Sequence, residues 1–567
     1  MSALDAQPAH SPVTGLESNL PTLDKLGATV PPDLDAHEVA SECFCAFSQR
    51  VSSNDVAGVV RLFAEEGWWR DLLALTWDFR TFHGAAKITR FLENQLPAMK
   101  PTAFKLKNAS LLRPYPDLVW LMGLFDFETE VGIGSGIFRL VPTSSGIWKG
   151  YTMFTNLEDL KGFPEKVGPF AESASNGGLW ETEREHARSF AESDPAVLII
   201  GGGQGGLTVA ARLKCLGVST LVIEQQDRIG DNWRDRYEAL CLNDPVSMAT
   251  HVDQTDGKWA VTVRRKDGAQ RVFHVDHVVL AIGWHGGVPY IPAFPGRDEF
   301  RGQVLHSTQH RSARDHVGKK VVIVGAASSA HDIAADYAEH GVDVTLVQRN
   351  ATFVMSTTSG IPLVVGLYRD GGVSTDVADR LSNSMPVLLQ NEANDRIMAA
   401  IADADKDLLH GLRKVGFKCA MGTEGSSIVH LIYLRGGGYY LDVGACQKII
   451  DGEIKLKNDS QIAYFTKTGL KFGNGSEIVA DVVILATGFE SSESAIKKLV
   501  GSNIASKMSP IWNLTPEGEL RGVWRWLGVP NLWVVMGSLA RCRFHSKHLA
   551  LQIKAVQEGV YGKRYEA

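Results

Sequence analysis

Hydrophobic positions along the first third of the chain follow two periods in turn. From Ala36 the helical period sets in, with Val39, Cys43, Phe47 and Val51 on one face, and a second short helix follows over Asp55 to Phe63. An aromatic strand, Trp68 to Leu73, leads to a turn at His83-Gly84 and a helix near Ile88 to Leu96. Four alternating segments then occupy 102–112, 117–129, 133–141 and 147–156. Helices followed by an antiparallel run predict an α+β domain over 36–165, behind a Pro-containing disordered leader at 1–35. Residues 166–194 hold Pro169, a Ser/Asn/Gly cluster and a charged helical stretch from Trp180 to Glu192, and are expected to be a linker. From Pro195 the pattern becomes strand, glycine loop, helix, strand, and it recurs from Lys319, so the remainder is expected to be α/β.

Composition narrows the function classes. Apolar residues make up 44% of the chain and charged residues 22%, an ordinary globular balance. The net charge of -6 argues against nucleic acid as the main partner. Apolar runs such as Val278 to Ile282 have strand length and none reaches the ~18 residues of a membrane span. Seven Cys are scattered without a C-x-x-C pair. That pattern points to a reducing, cytoplasmic setting and away from a dithiol flavoprotein reductase. The start shows no secretory pattern.

Two segments carry chemistry. In the first, Val197 to Ile200 precedes Gly201-Gly202-Gly203-Gln204-Gly205-Gly206, a helix follows, and the strand Thr220 to Ile223 ends at Glu224. Gly201 suits a tight turn, Gly203 a close approach of backbone to a pyrophosphate, and Gly206 the packing of helix on strand. The Gln204 region opens a helix whose N–H groups face the phosphates. Glu224 is placed to accept both ribose hydroxyls and would repel a 2′-phosphate, so this site favours FAD or NAD. In the second, Val321 to Val324 precedes Gly325-Ala326-Ala327-Ser328-Ser329-Ala330, and the next strand ends at Gln348-Arg349. An Arg where the first site has Glu favours a 2′-phosphate, hence NADPH. The plainer alternatives are a glycine-rich loop of an unrelated α/β domain and a solvated strand-end charge. Val278 to Gly283 and Val482 to Gly488 are further strands ending in glycine, and Met536-Gly537-Ser538 opens a helical stretch toward Gln557.

With these segments in place, the chain from 195 to 567 resembles the flavin-containing monooxygenases, nearest to fungal members similar to plant YUCCA-type enzymes. The motif F-x-G-x-x-x-H is present as Phe300 to His306, with His310 at the closing aromatic position. Gly230-Asp231-Asn232-Trp233 matches the segment after the first acidic residue. The segment 36–165 resembles the NTF2-like cone fold, in which Asp71, Asp78 and His83 would be candidate ligand or catalytic groups, although a structural or dimerising appendage is the more economical role. The implied fold class is α/β, with two Rossmann-like dinucleotide-binding domains behind an α+β NTF2-like cone domain. FAD would occupy 195–310 and 476–567, and NADPH 311–475.

The resemblance implies FAD- and NADPH-dependent insertion of one oxygen atom from O2 into a small organic substrate through a flavin C4a-hydroperoxide. Asn243 would be the flavin-side hydrogen-bonding group. Gly201, Gly203, Gln204, Gly206, Glu224, Asn232 and Trp233 would hold the flavin nucleotide, with the Thr250-His251-Val252 strand on its adenine side. His310 departs from the Trp that ends this motif in Baeyer–Villiger enzymes. Roughly forty residues that the family carries after Asp244-Pro245-Val246 are absent near 247–249, a larger change than ordinary loop variation. The alternatives are an uncoupled NADPH oxidase and a degraded flavoprotein whose cone binds a ligand. No nucleic acid or stable membrane insertion is expected, and a homodimer is compatible with the pattern.

Overall fold

The computed structural model describes residues 20–167, 190, 193–234, 236–239, 251–255, 257–420, 428–434 and 436–566. The linker's charged stretch and Asn243 to Thr250 lie outside the described residues.

The N-terminal unit has the expected order. Helices α1 (Ala36–Ser52) and α2 (Val56–Arg61) are followed by β1 (Phe63–Leu72), β2 (Phe79–His83), α3 (Ala85–Met99), β3 (Thr102–Tyr115), β4 (Leu118–Glu128), β5 (Gly132–Pro142) and β6 (Trp148–Leu160). The Asp35 carboxylate accepts the N–H groups of His37 and Glu38 and so caps α1. The buried stripe of α1 is Ala40, Phe44, Phe47 and Val51, one step around from the expected Val39–Cys43 line. Phe44 and Phe47 insert among Phe104, Phe125 and Phe138, with Phe44 and Phe125 ring centroids 5.1 Å apart. The sheet runs β2-β1-β6-β5-β4-β3 and is antiparallel except for the parallel β1–β6 pair. The expected leader is shorter than 1–35. Leu20 is buried beside Trp68, Leu118 and Trp120, and a one-turn helix at Leu23–Leu26 is tied to Asp117 through the Leu23 N–H.

The first α/β unit contains β7 (Val197–Ile200), α4 (Gln204–Cys215), β8 (Thr220–Ile223) and α5 (Asp231–Arg234). A three-stranded meander of β9 (His251–Thr255), β10 (Lys258–Arg264) and β11 (Gln270–Val275) precedes β12 (His277–Leu280). The second unit contains β13 (Gln303–His306), β14 (Lys320–Val324), α6 (Ser328–Glu339), β15 (Asp343–Val347), β16 (Ile454–Lys457) and β17 (Val482–Leu485). The chain ends through β18 (Leu532–Val534) and α9 (Leu539–Gln557). Two parallel sheets result, ordered β18-β12-β7-β8 and β13-β17-β14-β15-β16. Both glycine-terminated runs at 278–283 and 482–488 supply central strands, β12 and β17, whose residues are all buried. The second sheet therefore takes in Gln303–His306 and Val482–Leu485, on either side of the 311–475 interval expected for it. A helical insertion between 360 and 434, whose two longest helices are α7 (Thr375–Ser384) and α8 (Val387–Ala404), also belongs to this half, and the periodicity reading did not separate it.

The N-terminal unit is fastened to the α/β half by buried charges. Arg70 forms a two-pronged pair with Glu519 at 2.7 and 2.8 Å, and the Thr81 hydroxyl donates to the same carboxylate. Asp78 pairs with Arg525 at 2.6 Å and Arg564 at 2.9 Å. From the insertion, Ser384 meets Arg139 and Arg396 pairs with Asp117. Helix α9 lies between α4 and β6, where His548 bonds Asn156 and Lys547 pairs with Glu158.

Candidate functional site: two dinucleotide cradles

At the first cradle β7 turns into α4 through a loop that only glycine can build. Gly201 has φ +112°, and a Cβ there would lie 2.3 Å from the Ala281 carbonyl oxygen on the neighbouring strand. A Cβ on Gly206 would lie 2.0 Å from the Gly201 carbonyl oxygen, so helix and loop could not close together. Helix α4 begins at Gln204 with Gly203 as its cap and no side chain on its first N–H groups. Those donors and the helix dipole are left facing the loop, which suits a pyrophosphate. At the end of β8 the Glu224 carboxylate accepts from Gly202 N at 2.8 Å, Gln225 N at 2.8 Å and Gln226 N at 3.0 Å. Three backbone donors fix it beside the glycine loop, with lone pairs remaining for ribose hydroxyls. The residues thus fit a dinucleotide without a 2′-phosphate.

The second cradle repeats the arrangement at β14 and α6. Gly325 has φ +130°, with a Cβ position 2.3 Å from the Ala486 carbonyl oxygen, and α6 is capped by Ala327 with no side-chain acceptor on its N-terminus. Beyond β15, Gln348 is buried and bonds to Lys418 and Asn458, whereas Arg349 is exposed. Arg349 forms no ion pair among the described residues. Its guanidinium is available to a phosphate, as the sequence suggests.

Other expected residues fare differently. Trp233 is half-buried on α5, and Asp231 beside it is buried and pairs with Arg234 at 2.9 Å. Asn232 sits on the same helix. Val252 belongs to the meander, opposite Val261. Asn243 lies outside the described residues. Asp71, Asp78 and His83 do not converge. Asp71 accepts from Leu75 N, Thr76 N and the Thr76 and Thr155 hydroxyls, and burial pushes its carboxyl up to about 6. Asp78 is locked between Arg525 and Arg564, and His83 stacks on Trp68 at 3.8 Å. His306 ties the linking motif together, with its ring bonded to the Gly488 carbonyl and the Thr308 hydroxyl at 3.0 Å each.

The sequence reading missed an aromatic wall beside the first cradle. Gln204 donates to the Gly537 carbonyl at 2.8 Å, which brings the N-terminus of α9 against the glycine loop. Arg541, in the first turn of α9, lies over the Tyr433 ring at 4.5 Å and 6.0 Å from the Trp512 ring centre. Trp284 meets Trp512 edge-on at 4.3 Å. These four residues come from distant parts of the chain, and only the Gly537-Ser538 helix start was visible beforehand. On the other side, β8 is the sheet's outer strand among the described residues. All four of its residues are half-buried, whereas those of β7 are fully buried. Leu207 on α4 is 40% exposed, so among the described residues this side of the unit is thinly covered.

Comparison with known proteins agrees with this geometry. Residues 199–245 match the family model for an NAD(P)-binding Rossmann-like domain, and residues 245–416 match the one for flavin-binding monooxygenase-like proteins. The indole-3-pyruvate monooxygenase YUCCA1 of Oryza sativa subsp. japonica is 27% identical over 342 residues, covering 53% of this chain and 77% of that protein. The probable indole-3-pyruvate monooxygenase YUCCA4 of Arabidopsis thaliana is 27% identical over 347 residues, covering 53% and 76%. Among solved structures, a flavin monooxygenase from Stenotrophomonas maltophilia aligns at 18% identity with a TM-score of 0.41, covering 64% of this chain and 99% of that one. The closed crystal structure of cyclohexanone monooxygenase aligns at 14% identity with a TM-score of 0.43, covering 65% and 85%. Through its dinucleotide-binding half, this chain is similar to the flavin-dependent monooxygenases.

Proposed function

We propose that the protein is an FAD-dependent, NADPH-consuming monooxygenase that inserts one atom of O2 into a small planar acid. The carrying observation is the pair of glycine-loop cradles with opposite strand-end charges, Glu224 at the first and Arg349 at the second. Gly201, Gly206 and the N-terminus of α4 would hold the FAD pyrophosphate, with Glu224 on the adenosine ribose. Gly325, the N-terminus of α6 and Arg349 would hold NADPH. When bound, the flavin supplies the oxygen activation that no side chain can, with NADPH as hydride source. The chain's own part is to bind, orient and exclude water.

The wall of Trp284, Trp512 and Tyr433 offers flat apolar faces, and Arg541 offers a cation to a carboxylate. That combination supports an aromatic acid, a class that includes the indole-3-pyruvate named for the plant relatives. The N-terminal unit, NTF2-like in its helix and strand order, serves as a fixed support for α9, and its buried ion pairs favour that role over an independent ligand site. Cytoplasmic residence remains part of this proposal. Among the described residues no helix is long and apolar enough to cross a membrane.

A second reading, an uncoupled NADPH oxidase, is favoured by the thin cover at β8 and Leu207, because water reaching a flavin site promotes peroxide release. The nucleotide assignment is tested by KM for NADPH and NADH in the parent and in Arg349→Ala. A charge-assisted contact predicts that the variant loses about 10- to 150-fold in NADPH preference. Equal use of the two cofactors by the parent would remove Arg349 from the account.

A further inference from the structure

The second parallel sheet has two ends, and the Gly325 cradle uses only one. At the opposite end, where β13, β14 and β17 begin, an open cleft of about 960 Å³ runs between Arg301–Gln303, Lys319 and Lys467–Thr468. Four cations, Arg301, Arg311, Lys319 and Lys467, line it and are exposed. None of the four pairs with a carboxylate among the described residues. Two acids share the lining, Asp315 and Asp481, and one oxygen of Asp481 is taken by the Lys320 N–H at 2.8 Å. The cleft therefore carries surplus positive charge.

Its inner wall is wired in one direction. Gln303 Oε1 accepts from His316 Nε2 at 3.1 Å, which leaves His316 Nδ1 to accept the Tyr337 hydroxyl at 2.6 Å. The Tyr337 oxygen in turn accepts from His310 Nδ1 at 3.3 Å. His310 Nε2 is then a bare acceptor. The ring lines the cleft and is 1% exposed, and Nε2 has no hydrogen-bond partner. Burial and the nearby His316 push His310 down to about 4, so the ring is neutral near pH 7. An orphaned buried acceptor is costly unless something donates to it.

We propose that this cleft is a second small-molecule site, separate from both cofactor cradles, that binds a hydroxylated phosphate ester of the sugar-phosphate class. The phosphate sits among Arg301, Arg311, Lys319 and Lys467, and a hydroxyl of the same molecule donates to His310 Nε2. A phosphate without a hydroxyl-bearing body meets only the rim, and an uncharged sugar meets only the inner wall.

The experiment is titration calorimetry on the flavin-loaded protein with saturating NADP⁺, so that both cofactor phosphate sites are filled. The probes are ribose 5-phosphate, inorganic phosphate and ribose. Ribose 5-phosphate is expected to bind at least about tenfold more tightly than either of the others, and more weakly as salt is raised. The double variant Lys319→Ala/Lys467→Ala, in exposed residues, should weaken it by about tenfold or more. His310→Phe keeps a ring but removes Nε2, and should erase the preference for ribose 5-phosphate over inorganic phosphate. Absence of ribose 5-phosphate binding, equal binding of inorganic phosphate, or unchanged affinity in the lysine variant would each overturn the proposal.

Discussion

Replacing Glu519 by Gln should destabilise the protein out of proportion to the size of the change. Glu519 and Arg70 are 2% and 7% exposed at the side chain, and both carboxylate oxygens are engaged by the guanidinium. Although burial works against its charge, the Glu519 carboxylate holds the Arg70 guanidinium above its usual value. Glutamine keeps the shape but removes the countercharge, leaving a cation in a site with almost no water. Breaking a buried pair in this way costs about 3–5 kcal/mol, whereas replacing both partners by apolar residues is often neutral or better. A neighbouring pair supplies the control. Arg80–Glu517 has the same 2.7 Å contact, but Glu517 is 28% exposed, so water screens it and Glu517→Gln should cost about 1 kcal/mol or less. The assay is urea unfolding of the parent, Glu519→Gln, Glu517→Gln and the double variant Arg70→Met/Glu519→Leu, comparing midpoints at a common slope. The expected order has Glu519→Gln far below the other three. A Glu519→Gln midpoint equal to that of Glu517→Gln would refute the claim that this pair is buried between the two halves.

The remaining predictions concern the cradle and the N-terminal turn. Gly206→Ala should strip FAD from the purified protein because its Cβ has no room beside the Gly201 carbonyl, whereas Gly217→Ala, with φ +70° and open space around it, should cost about 1 kcal/mol of strain and keep the flavin. Flavin absorbance per chain distinguishes them, and equal loss in both would mean that fold damage rather than the cradle is being read. Asp71 has its carboxyl raised by burial from 3.8 to about 6, so the folded protein binds a proton there that the unfolded chain has released. Its contribution to stability is fully present below about pH 4 and is lost as pH rises through about 6, a swing of about 3 kcal/mol. The parent-minus-Asp71→Asn difference in urea midpoint should show that fall, and a flat difference would mean that Asp71 titrates alike in the folded and unfolded chain.

Much of the α/β half was legible because its signals are local. Gly201, Gly206 and Gly325 answer to backbone conformation and close approach, and the strands around them are continuous apolar runs, as parallel sheets require. Element order in the N-terminal unit was legible for the same reason, since periods of 3.6 and 2 are read over a few residues. The α1 stripe was displaced by one step because Phe44, rather than Cys43, is the ring that fills the sheet's aromatic cluster. What joins distant parts was not legible. Arg70 meets Glu519 across 449 positions, and nothing near either residue announces the other. Asp78 read as a possible cone acid, but two arginines from the C-terminal segment neutralise it. The aromatic wall was hidden likewise, because Trp284, Tyr433, Trp512 and Arg541 come together only when both sheets are in place. His310 was visible as a departure from an aromatic position, but its wiring through Tyr337 to His316 needed coordinates.

The central claim is that this chain binds FAD at the Glu224 cradle and reduces it with NADPH. The direct measurement is bound FAD per chain after reconstitution, followed by O2 uptake and peroxide formed per NADPH consumed, in the parent and in Glu224→Arg. The account predicts FAD in the parent, NADPH oxidation that depends on that FAD, and loss of both in the variant. Low peroxide with an aromatic acid present would mark the coupled enzyme, and peroxide equal to the NADPH consumed would mark the oxidase. A parent that takes up no FAD, or a Glu224→Arg variant that holds as much FAD as the parent, would contradict the account.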